Sequence, residues 1–149
     1  MQCEHTVGWV LKMKRTYSEL ITLPTFKERF DYLKLNGEVG AETFGFDRYL
    51  NQRFYHSNEW RTFRRDILIR DMGCDLAMDD RPIYGKILVH HMNPIEVDDI
   101  LDFSKLMDPE EVVCVSLVTH DAIHYSNENL LLEREPVSRM PNDTIPWRL

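Results

Sequence analysis

Two stretches decide how this chain reads: Ile87-Leu88-Val89-His90-His91-Met92-Asn93-Pro94 and Thr119-His120-Asp121-Ala122-Ile123-His124-Tyr125. The run Ile83 to Val89 has the composition of a β-strand and closes on the adjacent pair His90 and His91. Val112 to Val118 reads as a second, more continuous strand, after which Thr119 can cap a helix beginning at His120. His120 and His124 are four residues apart, so a helix places both imidazoles on one face, about 5–6 Å apart at Cβ, a spacing suited to one metal ion. Adjacent strand residues point to opposite faces, so His90 and His91 cannot both ligate that ion from a regular strand. One joins the helical pair, and the other is left to handle a proton. Three protein ligands leave a coordination position open, which favours catalysis over a purely structural site.

Outward from this centre, Met92 to Glu110 is an acidic connection carrying Pro94 and Pro109, with at most one short helix around Val97 to Leu101. Upstream, Thr25 and Glu28 stand at capping-box spacing, and Phe26, Phe30 and Leu33 repeat at helical intervals until Gly37, predicting a helix from Phe26 to Leu35. Ser57 or Asn58 can cap another helix, with Trp60, Phe63 and Ile67 on one side and Arg61, Arg64 and Arg65 on another. That basic stripe is a candidate DNA contact. The segment Pro141-Asn142-Asp143-Thr144-Ile145-Pro146-Trp147 is too rich in breakers for regular structure.

The 149 residues, 43% of them hydrophobic, suffice for one domain with a real core. No apolar run approaches a membrane span and no signal-peptide pattern opens the chain, so a cytoplasmic protein without membrane contact is expected. Cys3, Cys74 and Cys114 form no C-x-x-C pair, and reduced thiols are expected, with Cys114 in the core. A net charge of −7 opposes indiscriminate phosphate binding. The charge is unevenly spread: residues 48–70 hold six arginines against two acids, whereas residues 71–111 hold eleven acids against three cations.

The His-His and His-x-x-x-His pair resembles the HNH motif. The wider stretch Phe44 to Tyr125 is similar to HNH endonuclease-like proteins of tailed bacteriophages, through Thr43 to Gln52, Phe54-Tyr55-His56-Ser57-Asn58-Glu59-Trp60 and Arg70 to Leu76. The N-terminal helix and the Pro141 to Trp147 tail are similar too. This resemblance implies an α+β fold with a ββα-metal core over residues 44–130, an N-terminal helical extension over 1–43 and an irregular tail over 131–149. It makes His91 the general base and His90, His120 and His124 the ligands of one divalent ion. Imidazoles suit Zn²⁺, Mn²⁺ or Ni²⁺ better than Mg²⁺. The family's middle Asn falls at Glu111, which either braces the loop or brings its carboxylate to the metal, with Asn93 sharing the brace. Double-stranded DNA is the implied substrate. The alternative is a packaging accessory with the same fold that binds a phage terminase or portal.

Overall fold

In chain order the elements are α1 Tyr17–Leu20, α2 Phe26–Leu33, α3 Arg48–Tyr55, α4 Asn58–Arg70, β1 Cys74–Asp75, β2 Arg81–Pro82, β3 Ile87–His91, β4 Val112–Ser116 and α5 Leu117–Tyr125. Short 3₁₀ turns occupy Phe103–Met107, Pro109–Glu111 and Glu128–Leu130. The structure is a computed structural model that describes residues 13–36, 48–78, 80–96, 98–99 and 102–132. Gly37, the expected boundary at 43/44, most of the helix expected around Val97 to Leu101 and the tail from 133 onward lie outside the described residues.

The architecture is α+β, with two antiparallel pairs, β1–β2 and β3–β4. In the larger pair, His90 lies opposite Val113 and His91 opposite Val112, so both histidines stand where β4 begins. β4 then runs without a loop into α5.

Both strands differ from their expected limits. The first begins at Ile87 rather than Ile83, and Tyr84 is 97% exposed. The second ends at Ser116 rather than Val118, and α5 starts at Leu117 with Ser116, not Thr119, as its cap. Ser116 Oγ accepts from Thr119 N at 3.2 Å, which ends the strand by supplying the first helical partner. An unbroken apolar run carries no period, so it could not show where strand gives way to helix. The capping box at Thr25 and Glu28 forms as expected, but α2 ends at Leu33 rather than Leu35 because Lys34 turns extended.

The β3–β4 pair is covered on both faces. One core unites α1, α2 and α5 with Leu88, Val113 and Val115; another packs Phe63, Ile67 and Leu68 of α4 on Ile87, Val89, Val112 and Cys114. That double cover explains why four consecutive residues of β4 are buried. Cys114 is a core residue as expected, and burial beside the Asp71 carboxylate pushes its thiol up to about 12.

Two acids of the 71–111 segment are internal rather than part of a solvated acidic face. Asp71 and Asp75 are each 3% exposed. Asp71 Oδ2 accepts from Cys114 N at 2.8 Å, and Asp75 Oδ2 accepts from Ser116 N at 3.0 Å and Thr119 Oγ1 at 2.5 Å. Carboxylates thus stand where a further strand would pair with β4. Arg70 neutralises Asp71, donates to the carbonyls of Pro109 and Val112, and lies 3.8 Å from the Tyr17 ring centroid, tying α1 to the strand pair.

Candidate metal centre

Strand alternation sends His90 to the α5 side and His91 to the α4 side. His120 and His124, one turn apart, face the strand, and the ring centroids lie 5.4 Å (His90–His120), 5.3 Å (His90–His124) and 4.3 Å (His120–His124) apart. One nitrogen from each ring lies within 4.8 Å of the others. Imidazole nitrogens that share one tetrahedral ion at about 2.0–2.1 Å stand roughly 3.3 Å apart, so the rings would draw together around an ion.

The chemistry of the cluster fits a cation. His90 is 3% exposed, and its Nε2 is buried with no hydrogen-bond partner among the described residues. An orphaned buried nitrogen costs free energy unless something fills its lone pair. Burial, followed by repulsion from His120 and His124, holds His90 well below the ordinary histidine value near 6.5. Burial and His120 lower His124 as well. Neutral imidazoles are the metal-binding form. His120 donates from Nδ1 to Asp121 Oδ1 at 3.3 Å, which leaves its Nε2 lone pair for an ion.

His91 has different surroundings. Its ring stacks on Trp60 at 5.9 Å, and its Nε2 lies 2.9 Å from the Leu106 carbonyl. A carbonyl only accepts, so Nε2 carries the hydrogen and Nδ1 keeps the lone pair. Burial lowers its pKa, with the Leu106 bond and then the Glu111 charge opposing that shift.

Glu111 does not join the histidines. Its Oε1 pairs with Lys14 Nζ at 2.5 Å, and among the described residues the metal-capable group holds only the three imidazoles. Of the two expectations for Glu111, a loop brace or a carboxylate brought to the metal, the structure shows its carboxylate turned toward the N-terminal segment. Asn93 also braces that segment, accepting from Arg15 N at 2.8 Å and donating to Arg15 O at 2.9 Å.

The basic stripe is divided. Arg64 donates to the Ile87 carbonyl at 2.8 Å and so holds α4 to β3, whereas Arg61 and Arg65 remain exposed. Arg65 lies 3.5 Å from Asp66, an exposed pair of little energetic weight.

Sequence reasoning missed Trp60 and Leu106 as partners of His91. An aromatic at helical spacing reads as core, and a backbone carbonyl leaves no sequence signal. Among the described residues no helix is long and apolar enough to cross a membrane. Comparison with protein-family models, curated proteins and solved structures returned no match.

Proposed function

We propose that the protein is a metal-dependent DNA endonuclease of the HNH type, in which β3, β4 and α5 form a ββα-metal core. The observation that carries this reading is the buried, unpartnered His90 Nε2 facing the imidazoles of His120 and His124. His90, His120 and His124 would hold one divalent ion, Zn²⁺, Mn²⁺, Ni²⁺ or Mg²⁺, which would supply charge neutralisation at a bound phosphate.

The chain's own residues do the rest. His91, its tautomer fixed by Leu106, accepts a proton from the attacking water at Nδ1. Trp60 limits rotation of the ring. Asp121 orients His120. Arg61 and Arg65 supply phosphate contacts, whereas Arg64 positions the helix that carries them.

A second reading, a phage packaging accessory that binds terminase or portal, draws support from the net charge of −7 and from the engagement of Glu111 with Lys14. Plasmid nicking with each ion separates the two. Wild type is expected to cut with at least one ion and His120→Ala with none. Absence of cutting by metal-saturated wild type removes the endonuclease reading and leaves the accessory one.

A further inference from the structure

Two recesses among the described residues have opposite character. One, of 720 Å³, is lined by Glu96, Asp99, Asp108 and Glu111 against Lys14 and Lys105. A polyanion is repelled there. The other, a groove of 440 Å³, passes between the β2–β3 loop and the start of α5. Its charged rim is Arg81 and Lys86, both exposed. Asp75, the one carboxylate in its lining among the described residues, is buried and accepts from Ala77 N, Ser116 N and Thr119 Oγ1.

Between the two cations stands Tyr84, the most exposed large apolar side chain among the described residues at 97%. Leu117 and Val118, exposed by 52% and 53%, form the α5 side of the groove. Leu117 precedes His120 by three residues in α5, so it lies about one turn from the metal-binding face and on the same side of the helix. The groove is thus walled in part by the helix that carries His120 and His124.

We infer that this groove binds an unpaired stretch of nucleic acid, with a base stacked on Tyr84 and the flanking phosphates on Arg81 and Lys86. An open aromatic face between cations takes any base, because every base offers a π surface and every linkage a charge. The arrangement specifies the substrate class of the nuclease reading, on which its catalytic meaning rests: single-stranded or locally melted DNA in place of an intact duplex. It also gives a chain of charge −7 a local landing site for a polyanion.

Fluorescence anisotropy of a labelled 15-nucleotide oligothymidylate with metal-free full-length protein tests the inference. Wild type is expected to bind it more tightly than a duplex of equal length. Tyr84→Ala should weaken binding about tenfold, the loss of one stacked base. Arg81→Gln with Lys86→Gln should reduce the slope of log affinity on log salt by about 1.4, two phosphates' worth on a single strand. His120→Ala should leave oligonucleotide binding intact while abolishing metal binding, so a failed nuclease reading and a failed groove reading give different results. Circular dichroism confirms that each variant is folded.

Wild-type affinity in Tyr84→Ala, or no oligonucleotide binding by wild type, overturns the inference. So does sedimentation showing a dimer that Leu117→Glu dissociates without any change in oligonucleotide affinity, because the groove is then an interface between copies of the chain.

Discussion

His90 and His91 occupy consecutive positions at one strand end, and the fold gives them opposite surroundings. His90 faces α5, beside two other imidazoles, with a nitrogen that no described residue satisfies. His91 faces α4, with one nitrogen already bonded to a carbonyl and its ring held on an indole. A group left unsatisfied inside a protein invites a ligand, whereas a group held by one nitrogen keeps the other for chemistry. Residue type does not separate the two histidines. Strand alternation does.

Substitution of each histidine should break the comparison most sharply. His91→Ala is expected to lower cleavage by about 10²–10⁴-fold while metal affinity and thermal stability persist. His120→Ala should lose metal affinity, metal-dependent stability and cleavage together. Calorimetric titration and plasmid nicking read both. If His91→Ala loses metal as His120→Ala does, the division between the two strand faces is wrong.

Acid should distinguish them next, in metal-free protein. Burial holds His90, His91 and His124 below their ordinary value near 6.5. Unfolding releases the rings to that value, so as pH falls below about 6.5 the unfolded chain takes up protons that the folded chain refuses. Stability should therefore fall with pH in that window. A saturating divalent ion should steepen the fall, because protons then compete with the ion for the three ligands. Thermal melts between pH 7.5 and 5 check this, and a melting temperature flat across the range contradicts the burial of the cluster.

Asp75 tests what holds the α5 side in place. Asp75→Asn keeps one oxygen but puts an amide where a carboxylate oxygen now takes the Ser116 N–H and the Thr119 hydroxyl. A loss of about 1–3 kcal/mol, seen as a lower chemical-denaturation midpoint, is expected. Metal affinity should weaken as well, since Asp75 fixes the start of the helix that carries His120 and His124.

The smallest effect belongs to the arginines. Arg61→Gln with Arg65→Gln should flatten the salt dependence of duplex binding by up to about 1.8, two phosphate contacts' worth, without changing stability. Arg64→Gln should act the other way, costing stability through its lost bond to Ile87 and leaving the salt slope nearly unchanged. Equal effects of all three would restore the undivided stripe.

Much of this was legible because the decisive signals were local. The α2 capping box, the Ser57 cap of α4 and the i, i+4 histidines each lie within a few residues, where spacing alone fixes geometry. The alternation that parts His90 from His91 is local as well. The limits of β3 and β4 were less legible. Ile83 to Lys86 has strand composition but falls in no strand among the described residues, although Ile83 N donates to the Gly73 carbonyl, and Leu117 and Val118 extend an apolar run into a helix that only Ser116 announces. Least legible were contacts between distant segments. Asn93 meets Arg15 across 78 positions, and Glu111 turns to Lys14 instead of the histidines. No periodicity carries that information.

The carboxylates of Asp71 and Asp75 along β4 also bear on how the protein behaves when crowded or partly opened. Val112-Val113-Cys114-Val115-Ser116 is rich in β-branched valine, uncharged and free of proline, a composition prone to cross-β stacking once its edge is bare. With the Cys114 and Ser116 N–H groups claimed by carboxylates and the Cys114 carbonyl by Leu76 N, the edge offers an incoming strand few partners and presents it with negative charge. Asp71 and Asp75, the second of which also seats α5, thus stand as gatekeepers on that edge, and variants at these positions lay it bare.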